Sequence, residues 1–186
     1  MFLNKNLISC SLDKTIKIWE ENNNNYQNII TLTDEGAIHS ILLLEDKNIL
    51  ISCRKNGVKF WNLNKYEFSI NFEDIIINGK NSIFRISEDK IIVGTNLIKV
   101  ISISQEKIVY NINIQFLCWE LFSLKNKGIF LVRGESKDIN IYRSDNYKCI
   151  QTIQNTHNDN ILGFIELKNR TIISYGWDGI IKVRSL

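Results

Sequence analysis

Short apolar runs dominate the chain. Ile, Val and Leu recur in runs of four to seven residues, and clusters of Asn, Gly, Asp and Lys separate these runs. Helix signals are almost missing. β-branched side chains favour strands because they are stiff at χ1 and suit a pleated surface, and the polar clusters are typical of tight turns. The pattern therefore predicts an all-β chain of many short strands.

Five of these segments superpose at a steady interval. They are "TIKIWE" at 15–20, "GVKFWN" at 57–62, "LIKVIS" at 97–102, "DINIYR" at 138–143 and "IIKVRS" at 180–185. Their fifth residues are separated by 42, 40, 41 and 42 positions. Each segment follows another apolar run across a short polar stretch, as in a β-hairpin. A period near 41 residues indicates a tandem structural repeat.

Two more apolar runs complete most of the repeats. One precedes the hairpin in four units and another links consecutive units, which gives four strands per period, labelled a to d. Four antiparallel strands per repeat predict the blades of a β-propeller, whose inner strands are apolar on both faces because neighbouring blades cover them. We expect one propeller domain over residues 1–186 with about five blades, the first and last incomplete. The units are approximately 1–32, 33–71, 72–112, 113–153 and 154–186.

Two segments carry the strongest family signal. "SCSLDKTIKIWE" at 9–20 and "SYGWDGIIKVRS" at 174–185 resemble the repeat of the WD-repeat β-propeller family, and "ISCRKNGVKFWN" at 51–62 is a weaker match. In this alignment Trp177-Asp178 is not the family's terminal Trp-Asp pair, whose position holds Arg184 and Ser185. Asp178 lies six residues before Arg184, as Asp13 lies six before Trp19, so both align with the aspartate of the b–c turn.

The resemblance implies a structural hydrogen-bond network around that aspartate. In the family it joins a His of the d–a loop, a Ser or Thr of strand b and the Trp of strand c. The last unit supplies His157, Ser174 and Asp178, and the first supplies Ser9, Asp13 and Trp19. Ser, His and Asp also form hydrolase triads, but no Gly-rich elbow or oxyanion donor accompanies them here. We expect no catalytic residue.

The same resemblance places partner contacts at the b–c turns. The residue before the turn aspartate commonly contacts partners in the family, and large exposed aromatics are enriched at binding hot spots. Trp177 is therefore the leading candidate, although it could instead cover the neighbouring blade. The other candidate contacts are Leu12, Lys14, Arg54, Lys55 and Arg133.

Charge and composition restrict the remaining function classes. The net charge is +3, and the 23 basic residues are interspersed with 20 acidic ones rather than gathered in tracts that follow a phosphate backbone. Four scattered cysteines and two histidines disfavour a zinc site, so we expect neither a metal nor a cofactor. No apolar run is long enough to cross a bilayer, which predicts a soluble protein of the cytoplasm or nucleus without membrane contact.

The expected function is a non-catalytic scaffold that binds another protein or a peptide through the b–c turn and d–a loop face. The alternatives are a nucleic-acid or chromatin-associated propeller subunit and, less favoured, a propeller hydrolase. The strand count predicts no strand a in the first unit and no strand d in the last. Three explanations follow: a fragment of a longer propeller, an unusual five-bladed ring, or an open arc. Exposed blade edges would favour self-association or completion of the ring by a partner.

Overall fold

The structure is a computed structural model that describes residues 2–3, 6–54, 57–73, 75, 83–94, 97–116, 118–124, 128–134, 137–167 and 171–185. Within these residues the chain forms antiparallel β-sheets, and the single helical element is a 3₁₀ turn at Glu45–Lys47. The prediction of an all-β fold is confirmed.

The strands form five sheets in chain order. The first contains β1 (Phe2–Leu3), β2 (Asn6–Cys10), β3 (Thr15–Asn22) and β4 (Asn25–Thr33). The second contains β5 (Ile38–Leu44), β6 (Ile49–Arg54), β7 (Gly57–Asn62) and β8 (Glu67–Phe72). The third contains β9 (Ile83–Arg85), β10 (Lys90–Gly94), β11 (Ile98–Ser102) and β12 (Lys107–Ile112). The fourth contains β13 (Cys118–Ser123), β14 (Ile129–Gly134), β15 (Ile139–Arg143) and β16 (Cys149–Ile153). The fifth contains β17 (Ile161–Glu166), β18 (Thr171–Gly176) and β19 (Ile181–Ser185).

The sheets fall into two compact units. Met1–Ile83 forms one unit and Phe84–Leu186 the other, so the boundary lies within β9. The first unit holds the first two sheets, and the second holds most of β9 and all the later strands.

Apolar side chains of adjacent sheets form the cores. In the first unit, residues of the first sheet pack against residues of the second: Ile8, Ile16, Ile18, Leu32, Ile38, Leu50, Trp61 and Leu63. In the second unit, one cluster joins the third and fourth sheets and another joins the fourth and fifth. β7 and β15 are buried at almost every position, whereas the outer strands β4 and β16 are largely exposed. Burial of these inner strands on both faces is the expected result when β-sheets stack against one another.

The first sheet differs from the sequence prediction. β1 pairs with β2 through Phe2↔Leu7 and Leu3↔Asn6, so the first sheet has four strands rather than three. A strand of two residues has no periodicity that a pattern search could detect. The three-stranded last sheet agrees with the prediction.

The run of asparagines at 22–25 forms a tight connection from β3 to β4. Asn22 pairs with Asn25, so the hairpin turns on Asn23 and Asn24 alone. Their φ angles are 50° and 65°. Positive φ at both central residues is the geometry of a type I′ turn, in which Asn is favoured because its short polar side chain tolerates the left-handed region.

All four cysteines lie in strands as free thiols. Cys53 and Cys118 are buried, and this burial raises the pKa of each thiol to about 12. Cys10 is half-buried, and Cys149 is exposed on β16. Two of the four therefore behave as small apolar core residues.

Candidate functional site

The turn between β18 and β19 is held by its own backbone and by the preceding loop. The Gly179 N–H donates to the Gly176 carbonyl at 3.2 Å, and Gly179 has a φ of 72°, a conformation that favours glycine. The Trp177 N–H donates to the Asn160 carbonyl at 3.0 Å. These bonds fix the backbone on both sides of Asp178.

Asp178 ties the turn to the loop that leads into β17. Its carboxylate accepts from the Asn158 N–H at 2.9 Å and the Ile180 N–H at 3.1 Å, and both oxygens lie 3.0 Å from His157 Nδ1. Desolvation of the carboxylate, whose side chain is 6% exposed, raises its pKa. The hydrogen bonds from Asn158, His157 and Ile180 outweigh that effect and lower the pKa of Asp178 to about 2.

His157 connects Asp178 to strand β18. Its Nε2 lies 2.9 Å from the Ser174 hydroxyl, and both side chains are 1% exposed. In the tautomer with its proton on Nδ1, the imidazole donates to the carboxylate, and Nε2 can accept from the serine hydroxyl. A Cβ atom at Gly176 would lie 3.0 Å from His157 Nδ1 and 3.1 Å from Asp178 Oδ1, so only glycine lets the strand pass this close. The loop, turn and strand thus share one buried network.

The network brings together the three residues that the sequence analysis placed in the last unit. Its pairings, His Nδ1 to carboxylate and Nε2 to hydroxyl, are also those of a hydrolase triad. A nucleophile must reach the substrate carbonyl, and the Ser174 hydroxyl lies under the surface. In the described part of the chain, no group of three or more His, Cys, Asp or Glu side chains could hold a metal ion.

Trp177 projects from this anchored turn. The side chain is 65% exposed, although the backbone on either side of it is hydrogen-bonded. A large apolar side chain in water is unfavourable, and it gains most by burial against a partner. The turn can therefore present an aromatic side chain to a partner with little further loss of backbone conformational entropy.

The first repeat has only part of the network. Trp19 Nε1 donates to the Ser9 hydroxyl at 2.8 Å. Asp13 instead accepts from the Thr15 N–H at 2.9 Å and the Thr15 hydroxyl at 2.7 Å, and these bonds lower its pKa. The aspartate therefore closes its own turn. Leu12 beside it is 66% exposed, and Lys14 is exposed with a φ of 72°.

The second repeat replaces the network by buried ion pairs. Asp34, at the position equivalent to His157, accepts from Arg54 Nη1 at 3.1 Å and lies 3.0 Å from Lys59 Nζ. Its other oxygen accepts from the Ser52 hydroxyl at 3.3 Å, and Trp61 Nε1 donates to the same hydroxyl at 2.9 Å. In this repeat the acidic residue, Asp34, lies in the loop, and the basic residues Arg54 and Lys59 lie in strands β6 and β7.

Two of the predicted contact residues are buried. Arg54 is 5% exposed because it pairs with Asp34, and Arg133 is 4% exposed because it pairs with Glu120 at 3.1 Å and donates to the Ile161 carbonyl. Their burial does not fit the expectation that both residues contact a partner. Both arginines stand at the fifth position of their strand-b segments, with an acid upstream. Lys55 lies outside the described residues.

The buried Lys59 was not predicted from the sequence. Its Nζ lies 5.2 Å from the centroid of the Trp61 ring, 4.7 Å from that of Phe68 and 3.0 Å from Asp34. A lysine recurs at the third position of four of the five strand-c segments, and this recurrence could have marked it as part of the repeat.

Comparisons with known proteins agree with this architecture. The family model for the WD domain, G-beta repeat (WD40), matches residues 3–20, which supports a WD-repeat family. No curated protein matches the chain in sequence.

Among solved structures, 1370 chains match, so the architecture is widespread and does not by itself indicate one function. One of them is the crystal structure of the computationally designed Ika8 protein, with a TM-score of 0.79 and 16% identity over 100% of this chain. At that identity the likeness shows the fold alone. The chain spans 57% of the length of that designed protein.

Within the described residues, no helix is both long enough and apolar enough to cross a membrane.

Proposed function

We propose that the chain is a non-catalytic interaction scaffold that binds another protein or a peptide at the turn that presents Trp177. The observation that carries the proposal is the combination of an indole that is 65% exposed with a turn fixed by buried hydrogen bonds. A rigid aromatic anchor binds with a small entropic cost because few rotamers and no backbone segment are ordered on binding.

The loop before β17 belongs to the same surface. Asn158 and Asp159 are exposed, and the Asn158 N–H is bonded to Asp178 behind the turn. These side chains provide polar groups in the loop that is hydrogen-bonded to the Trp177 turn. An apolar anchor with a polar margin is the usual composition of a protein contact. Leu12 occupies the equivalent turn position in the first unit and provides a second apolar contact candidate.

Two observations weigh against the alternative functions. The Ser174 hydroxyl is buried, which opposes its use as a nucleophile. Arg54 and Arg133, two of the basic turn candidates, are buried in ion pairs and are not presented to a phosphate backbone.

Affinity capture with three forms of the chain tests the proposal. The wild type, Trp177→Ala and the control Tyr66→Ala are immobilised at equal density, and the captured proteins are quantified by mass spectrometry. Tyr66 is also an exposed aromatic, but it lies in the turn between β7 and β8. Each protein that Trp177→Ala fails to capture is then purified and titrated.

We expect at least one protein to bind the wild type and Tyr66→Ala, and to bind Trp177→Ala about tenfold or more weakly, as hot-spot truncation does. Equal binding by all three forms would contradict the assignment of the turn. Equal loss in both variants would indicate a general loss of folded protein, which circular dichroism checks.

A further inference from the structure

The last sheet has an apolar face that is open to solvent. The register pairs Tyr175 with Ile181, Ile173 with Val183 and Ile165 with Ile173, so these side chains share one face. Ile181 is 70% exposed and Val183 63%, and Ile165 and Tyr175 are also exposed. An apolar sheet face of this kind normally packs against another layer.

The other repeats show what kind of surface covers these positions. The residues equivalent to Ile181 are Ile16, Val58, Ile98 and Ile139, each 0% exposed. The residues equivalent to Val183 are Ile18, Phe60, Val100 and Ile141, each at most 2% exposed. Ile16 and Ile18 are covered by the second sheet, whose Leu50 and Trp61 belong to the same core cluster.

The covering face of the second sheet has a defined composition. It consists of Leu50 paired with Trp61 and Ser52 paired with Lys59. Trp61 Nε1 donates to the Ser52 hydroxyl at 2.9 Å, and Lys59 Nζ lies 5.2 Å from the Trp61 ring centroid. All four side chains are buried.

The first sheet carries the same four residue types at the same positions. Leu7 pairs with Trp19 and Ser9 pairs with Lys17. Trp19 Nε1 donates to the Ser9 hydroxyl at 2.8 Å, and Lys17 Nζ lies 5.7 Å from the Trp19 ring centroid. These side chains are only half-buried. The first sheet thus presents the same set of side chains that covers Ile16 and Ile18, but in the first sheet this set is only half-buried.

We infer that a second copy of the chain docks head to tail. The first-sheet face of one copy, formed by Leu7, Ser9, Lys17 and Trp19, covers the last-sheet face of the other, formed by Ile165, Tyr175, Ile181 and Val183. The contact repeats the packing of the second sheet on the first. Because it joins two different surfaces, it gives a closed ring or an open chain of copies.

Variants that place charge on only one of the two faces, called one-sided variants here, test this inference. The double variant Ile181→Lys/Val183→Lys charges the last-sheet face, and Leu7→Lys charges the first-sheet face. Ile150→Lys is the matched control, because Ile150 is 53% exposed on β16, in another sheet. Analytical ultracentrifugation over a concentration series measures the association state, and circular dichroism checks the folding. Lys17→Glu replaces Leu7→Lys if the latter does not fold.

We expect the wild type and Ile150→Lys to associate and each one-sided variant to stay monomeric at the same concentrations. An equimolar mixture of the two one-sided variants should form a 1:1 dimer and nothing larger, because each retains the face that the other has lost. A monomeric wild type would overturn the inference. Association that survives the charged faces, or a mixture that stays monomeric, would also overturn it.

Discussion

At the scale of single residues, the hydrogen bonds of Asp178 explain how a turn can expose a tryptophan and still be fixed. Two backbone N–H groups and the His157 ring converge on one carboxylate. Each bond satisfies a donor that would otherwise be stranded near the surface of the fold. The exposed Trp177 side chain therefore extends from a backbone that the hydrogen bonds of Asp178 hold in place.

These bonds predict acid sensitivity of the last repeat. The pKa of Asp178 is about 2 in the folded chain, and an aspartate in an unfolded chain has a pKa of about 3.9. A lowered pKa means that the ionised form stabilises the fold, so this stabilisation is complete above about pH 4 and is lost as the pH falls toward 2.

The melting temperatures of the wild type and Asp178→Asn across this range check the prediction. The wild type should melt at a higher temperature at neutral pH, and the difference should shrink below pH 4. A difference that stays constant down to pH 2 would show that the carboxylate does not contribute through its charge.

The contacts of individual residues also show which positions could not be predicted from the sequence. The alignment of repeats placed His157, Ser174 and Asp178 together because a repeat fixes the strand register. It could not place Arg54 and Arg133, because their burial depends on Asp34 and Glu120, which approach from other strands and loops. An arginine at a strand end is exposed unless an acid meets it, and the sequence alone does not give that distance.

At the scale of strands and turns, the Asn23-Asn24 turn sets the register of the first hairpin. Both residues have positive φ, which costs an ordinary L-residue about 1–2 kcal/mol. We expect Asn24→Val to destabilise the first unit by about that amount, whereas Asn24→Gly should be neutral or stabilising because glycine adopts this conformation without a steric cost.

Urea denaturation of the three forms measures these changes. Tyr26→Val serves as the control, since Tyr26 is a largely exposed residue of β4 just beyond the turn. An Asn24→Val variant as stable as the wild type would show that the chain turns here in another way.

Strand positions were predictable because inner strands of stacked sheets are apolar over several residues and recur at a constant interval. β1 was not predictable, since two residues carry no period. At the asparagine run, composition alone does not distinguish a tight turn from a loop. Asn does favour the positive φ angles that a two-residue hairpin turn requires, and the structure shows that turn.

At the scale of the whole molecule, the repeats make equivalent positions comparable. Ile139 is 0% exposed and Ile181 is 70% exposed, although both occupy the second position of a strand-c segment. We expect Ile139→Ala to cost about 2–5 kcal/mol, as core truncations do. Ile181→Ala should change the stability of the monomer by less than about 0.5 kcal/mol.

Urea denaturation at protein concentrations below those of self-association measures both variants. A large loss for Ile181→Ala in the monomer would mean that the last sheet is covered within a single chain.

We claim that the turn presenting Trp177 is the partner contact, and hydrogen–deuterium exchange can test this. Exchange is measured for the chain alone and with a protein identified by the capture experiment. We predict slower exchange in the peptides that cover 157–161 and 175–180 when the partner is bound, with no change in β12, on an outer edge of the third sheet. Protection confined to other strands, with the turn exchanging as in the chain alone, would contradict the claim.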